Sequence, residues 1–125
     1  MSDETSRRFR LGRVAAMIAV SDIERSLEIY RSVFGFEKVF ENGNPVGFMI
    51  LKKDDAELHL SLQKDYKAPS FNVAHMLVSD AEAAYRACEE HGLRIIKSLK
   101  TKDYGLKAFV IADPDGNRID VGQPV

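Results

Sequence analysis

An apolar run, Val14-Ala15-Ala16-Met17-Ile18-Ala19-Val20, opens the patterned part of the chain. Its seven residues without a charge suit a strand buried on both faces. Ser21 and Glu24 follow at the spacing of a capping box, with Ser21 as the expected cap of a helix N-terminus. Ile23, Leu27, Tyr30 and Phe34 then recur at helical spacing, which predicts one apolar face over about three turns. Gly35 ends that helix, because glycine adopts the left-handed cap at little cost. Residues 36–41, 46–51 and 57–62 read as strands. They are separated by Asn42-Gly43-Asn44-Pro45 and by the polar turn Lys52-Lys53-Asp54-Asp55.

The pattern then repeats. Val20-Ser21-Asp22-Ile23-Glu24 returns as Val78-Ser79-Asp80-Ala81-Glu82, an offset of 58 residues. Residues 72–78 read as a strand, and Ser79 with Glu82 forms a second expected capping box. A helix carries the stripe Ala81, Ala84, Tyr85, Cys88 and runs to Gly92, with His91 in its last turn. Strands are expected over 93–99, 107–112 and 118–122, with the turn Asp113-Pro114-Asp115-Gly116-Asn117 before the last. That turn lacks the glycine and distal glutamate spacing of a calcium loop.

Each half is therefore β-α-β-β-β, and the fold class is α+β. The expected organisation is a flexible N-terminal segment over 1–13, a first module over 14–62, a linker over 63–71 containing Pro69, and a second module over 72–125. A helix covers one face of each small sheet, so the other face is expected to meet a second sheet. Two like halves also imply a cleft between them, where function is to be sought.

Composition narrows the partners. The 125 residues are 45% hydrophobic and 30% charged, with net charge −1, which offers no field for nucleic acid or an anionic membrane. The apolar run is too short to span a bilayer, and Arg7, Arg8, Arg10 and Arg13 break up any signal-peptide core. No nucleic-acid or membrane partner is expected. A single cysteine, Cys88, excludes an internal disulfide and reads as a core thiol, so a cytoplasmic location is expected.

Three segments carry a resemblance: residues Val20-Ser21-Asp22-Ile23-Glu24-Arg25-Ser26-Leu27-Glu28-Ile29-Tyr30, then Phe34-Gly35-Phe36, then Asp113-Pro114-Asp115-Gly116-Asn117-Arg118-Ile119-Asp120. In this order and spacing the chain resembles the vicinal-oxygen-chelate superfamily of glyoxalases, bleomycin resistance proteins, fosfomycin resistance enzymes and extradiol dioxygenases. The resemblance implies two βαβββ modules whose sheets curl into an open, cup-like barrel. It also implies a homodimer and a small-molecule ligand in the cup. In metal-using members the ligands come from the first and last strands of the modules.

Carried over residue by residue, the resemblance puts those positions on Ala15, His59, Val73 and Asp120. Ala15 and Val73 cannot bind metal. His75, two residues beyond Val73, is displaced by about 6.6 Å along the strand. A catalytic zinc takes three protein ligands, so His59 and Asp120 are one short and no metal or other cofactor is expected. By alternation His59 and Asp120 point into the cup, where a plain hydrogen-bonded His–Asp pair is an equal reading. A general-base role for such a pair lacks a matched nucleophile. Glu57, Ser61 and Arg118 share that inward face, as do Met17 and His75. Tyr104 falls where relatives place an aromatic at the cup's mouth, able to stack on a planar ligand.

The expected function is thus of the bleomycin-resistance type. A small, partly apolar molecule is held without metal by His59, Asp120, His75, Glu57, Arg118, Tyr104 and Met17, and antibiotic resistance is the implied role. Catalytic residues are not identified. Two alternatives stand beside it: a metal-dependent lyase, transferase or dioxygenase using His59 and Asp120, and a structural or regulatory dimer whose cup is filled by its own side chains.

Overall fold

The computed structural model describes residues 8–103 and 105–124. Residues 1–7 of the N-terminal segment, and Tyr104, lie outside them. The elements run β1 (Ala16–Val20), α1 (Ile23–Phe34), β2 (Glu37–Asn42), β3 (Phe48–Lys53) and β4 (Ala56–Leu62). The order then repeats as β5 (Asn72–Leu77), α2 (Ala81–Glu90), β6 (Arg94–Thr101), β7 (Leu106–Ala112) and β8 (Arg118–Pro124). They form two four-stranded sheets, β1-β4-β3-β2 and β5-β8-β7-β6. In each sheet the first strand pairs parallel to the last and the other pairs are antiparallel. Neither sheet closes on itself. No helix among the described residues is long and apolar enough to cross a membrane.

The helices start one residue later than the capping-box reading placed them. Asp22, not Ser21, is the cap of α1 and accepts from the Arg25 amide at 3.0 Å. Asp80, not Ser79, caps α2 and accepts from the Ala83 amide at 3.1 Å. Aspartate caps as well as serine does, and it sits at the extended residue that begins the turn. Ser21 is drawn elsewhere: its amide and hydroxyl both donate to Asp115, far along the chain. At the other end of α1, Gly35 takes φ +81°, the left-handed cap its position demanded.

One hydrophobic core joins both halves. Ile18 and Val20 of β1, Met49 and Leu51 of β3, and Leu58 and Leu60 of β4 lie under the helices. The same core includes Cys88 of α2, Phe109 and Ile111 of β7, and Ile119 and Val121 of β8. Burying one such side chain contributes about 1.5–3 kcal/mol. The two modules therefore meet through their helix-covered faces, with α1 close to α2 and β1 close to β5. The opposite sheet faces, expected to meet a second sheet without the sequence saying whether in the same chain or another, do not meet within this one. Those faces stay open: Met17 and Leu77 are each 60% exposed and Phe40 50%.

The turn before β8 holds the halves together. Asp113 and Asn117 are buried polar residues at the seam. Asp113 accepts from its own turn, at the Asp115 and Asn117 amides, each at 2.9 Å. It also accepts from the Tyr30 hydroxyl of α1 at 2.9 Å and from the Asn117 side-chain amide at 3.0 Å. Asn117 donates in turn to the Ala19 carbonyl of β1 at 2.9 Å and accepts from Tyr66 of the linker at 2.6 Å. Asp115 takes Arg25 at 3.1 Å. Burial pushes the Asp113 carboxyl above its ordinary range even against these hydrogen bonds, and burial with Asp113 alongside pushes the Tyr30 hydroxyl well above 10.

Removing the acceptor strands several buried donors, whereas removing one donor leaves the others in place. Asp113→Ala is expected to cost about 2–4 kcal/mol of folding stability and Tyr30→Phe about 1 kcal/mol. Urea unfolding of the two variants against the unaltered protein checks the order and size of the losses.

Candidate functional site

The open face of the first sheet is built by strand alternation. Leu58 and Leu60 point into the core, so Glu57, His59 and Ser61 point the other way. Met17 and Ile50 flank His59 in register on the neighbouring strands, and Phe40 lies beyond Ile50. Phe48 meets the His59 ring edge-on at 5.5 Å between centroids, and Phe40 meets Phe48 at 6.2 Å. This wall is apolar and aromatic with one imidazole set in it.

Glu57 fixes that imidazole. His59 Nε2 lies 2.6 Å from Glu57 Oε2. An ionised carboxylate only accepts, so Nε2 carries the hydrogen and Nδ1 remains available. Glu57 Oε1 accepts from Arg13 Nε at 2.7 Å, with Lys52 Nζ at 3.5 Å. The hydrogen bond from His59 and then that from Arg13 hold the Glu57 carboxyl down at about 2. Arg13 belongs to the segment expected to be flexible, and its side chain is tied to the site.

The second sheet carries a matching pair. His75 and Asp120 stand in register across β5 and β8, with His75 Nδ1 2.7 Å from Asp120 Oδ2. By the same reasoning Nδ1 donates and Nε2 remains available. Arg118 shares Asp120's face and donates to the Ser70 carbonyl at 3.2 Å, tying the linker's end to β8. A register shift between Asn72 and Ala74 interrupts the alternation at Val73, which packs against the core. Val73 therefore does not follow the simple alternation with His75 that the strand count assumed.

His59 and Asp120, expected as a pair, are not hydrogen-bonded to each other. Each finds its partner inside its own sheet, because the two open faces do not meet within the chain. Among the described residues no group of three or more His, Cys, Asp or Glu is placed to hold a metal ion. With Ala15 lacking a donor and Val73 on the core, one chain does not fit the ligand set that the resemblance implies. Cys88 is fully buried and its thiol is pushed up to about 12 by burial, so it supplies no nucleophile.

At the seam of β1 and β5 lies a hollow of about 360 Å³, distinct from the cup in which function was sought. Ala16, Glu57, Leu58, His75 and Leu77 are among its lining residues, but His59 and Asp120 are not. The sequence reading passed over Phe40, Phe48, Lys97 and Lys102 on the open faces. Alternation from Met49 and Leu51 would have turned Phe48 outward. The shifts in β6 hid Lys97.

A depressed carboxyl contributes stability above its unfolded value and loses it as pH falls toward its folded value. For Glu57 that window runs from 4.5 down to about 2. Glu57→Gln is expected to be less stable than the unaltered protein at pH 6 and to close that gap across this window. Thermal unfolding at stepped pH checks it.

The sequence matches the description Glyoxalase/Bleomycin resistance protein/Dioxygenase superfamily over residues 10–121. No curated protein matches the chain. Among solved structures, a member of that superfamily from Sphaerobacter thermophilus DSM 20745 is 28% identical, with a TM-score of 0.75, over 90% of this chain and 98% of its own. A bleomycin-binding protein complexed with bleomycin is 22% identical, with a TM-score of 0.77, over 92% of this chain and 100% of its own. A bleomycin resistance determinant encoded on the transposon Tn5 is also 22% identical at 0.77, over 91% and 98%. At 22% identity these two show a shared fold. With the family matched over most of its length and the paired β-α-β-β-β sheets in place, the chain belongs to the glyoxalase/bleomycin resistance protein/dioxygenase superfamily.

Proposed function

We propose that this chain is a binding protein that holds a small, partly apolar molecule in a cup completed by a second copy. The observation that carries the reading is the pair of uncovered sheet faces. Met17, Phe40 and Leu77 stand exposed on them beside His59 and His75, where a monomer would be expected to cover such surface. Among the described residues nothing covers them, because the two modules are joined by their helix sides. A second copy, related by a twofold axis, brings the first sheet of one chain to the second sheet of the other and encloses two equivalent cups. The bleomycin-binding neighbour, whose complex holds bleomycin, supports a binding role for the fold.

In this cup the aromatic wall takes the apolar part of the ligand, and His59 Nδ1 and His75 Nε2 offer polar contacts. Binding needs no metal in this reading. The protein is expected to run at twice its 14.0 kDa chain mass in light scattering. Met17→Glu and Leu77→Glu bury a charge in the paired face and weaken association by about 2–4 kcal/mol, returning the mass toward one chain. Saturable binding of a neutral bicyclic probe, 1-naphthalenemethanol, that these substitutions abolish supports the reading. A single-chain mass together with no binding overturns it.

One observation favours a second reading. Pairing between copies would set Glu57 and His59 opposite the partner copy's equivalents of His75 and Asp120, and two imidazoles with two carboxylates form a donor set for a divalent metal. Elemental analysis of protein purified without chelator separates the two. Below about a tenth of an equivalent of zinc, manganese, iron or nickel per chain is expected for the metal-free cup. Near-stoichiometric metal lost in both His59→Ala and His75→Ala would instead establish the metal site.

A further inference from the structure

The repeat puts equivalent strands under both walls of the cup, and the side chains on them have diverged. Across the first sheet one register row reads Met17, His59, Ile50, Phe40. Across the second the equivalent row reads His75, Asp120, Val110, Lys97. Met17 and His75 sit at the repeat offset of 58 residues. The apolar end of the first row, Phe40, answers to a lysine in the second.

That lysine rims a hollow. On the second sheet Asn72, Lys97 and Asp120, with Lys102 just past the end of β6, line a depression of about 140 Å³ together with residues 108–110 of β7. Among the described residues Lys97 and Lys102 make no ion pair, in contrast to Lys107, which is bound to Glu82, and Lys52, which reaches Glu57. Asp120 is the one acid among the described lining residues, and its Oδ2 is taken by His75. Both lysines thus line the hollow, and among the described residues neither has a carboxylate partner.

We infer that this hollow is an anion subsite, and that the ligand is a small acid with a flat apolar body. The body rests on Phe40, Phe48 and His59 of one copy, and its carboxylate, sulfonate or phosphate group accepts from Lys97 and Lys102 of the other. Charge-assisted hydrogen bonds of this kind are the strong ones, and the dry aromatic wall opposite strengthens them. The inference rests on the paired-cup reading, and it adds the class of ligand.

Three probes of one shape test it: 1-naphthoate, 1-naphthalenemethanol and 1-naphthalenemethylamine. The chain has no tryptophan, so naphthalene fluorescence reads binding directly. Naphthoate is expected to bind about tenfold tighter than the alcohol, and the amine weaker than either. The double variant Lys97→Gln with Lys102→Gln removes the naphthoate advantage and leaves alcohol binding unchanged, which shows that the cup is intact. Raising salt narrows the gap in the unaltered protein. Equal binding of acid and alcohol, or an advantage that survives the double variant, overturns the anion subsite while the cup stands. Binding of none of the three overturns the anion subsite, and together with a single-chain mass it overturns the cup as well.

Discussion

Everything about the site follows from which faces of the two sheets are spent on folding. The buried turn residues Asp113 and Asn117 decide this. Their polar groups are shut away from water, and an unpaired group there would cost as much as several good contacts. Every partner they find lies within the turn itself, on α1, on β1 or in the linker. Satisfying them pins the last strand of one module to the first helix of the other. The helix sides become the inside of the molecule and the opposite faces are left to the outside.

Much of the fold could be read from residue pattern. Apolar spacing marked both helices, turn chemistry marked the hairpins, and the repeat of Val-Ser-Asp-x-Glu paired the halves. Alternation correctly turned Met17, Glu57, His59 and Asp120 away from the core. What pattern could not supply was how two like modules meet. Periodicity reports which face of a sheet is apolar, but both faces of β1 are apolar here, and Met17 looks no less like core than Ile18. The partners of His59 and Asp120 depended on that arrangement, so a pairing inferred from shared orientation failed. The caps slipped by one residue for a related reason. Ser21 and Asp22 are equally good caps locally, and the choice is made by Asp115, distant in sequence.

The interruption at Val73 shows how little a strand count can be trusted near a bulge. One extra residue between Asn72 and Ala74 breaks the alternation. Counting from the helix cap lands on Val73, yet His75 is the side chain that stands against Asp120. The position inherited from the repeat and the imidazole that reaches the acid are thus different residues. Ala15 in the first module has no imidazole two residues on, because Met17 stands there. At the position the resemblance gives to a ligand, both modules thus carry an apolar residue, and two residues on they differ, one with a thioether and one with an imidazole.

This divergence is cheap in folding terms. Substitutions on the helix-covered faces disturb a close-packed core and cost stability directly. Those on the open faces change surface that the single chain leaves exposed, so Met17 in one module and His75 in the other are tolerated on the same backbone. In the paired cup proposed above, the cost would move to association, where each open face would have to match the face it meets. An apolar wall against a charged wall would waste the desolvation of His75, Asp120 and Lys97 if the two closed tightly on each other. The proposed cup, by keeping space between them, would avoid that loss, and the proposed ligand with one apolar and one charged end would recover it.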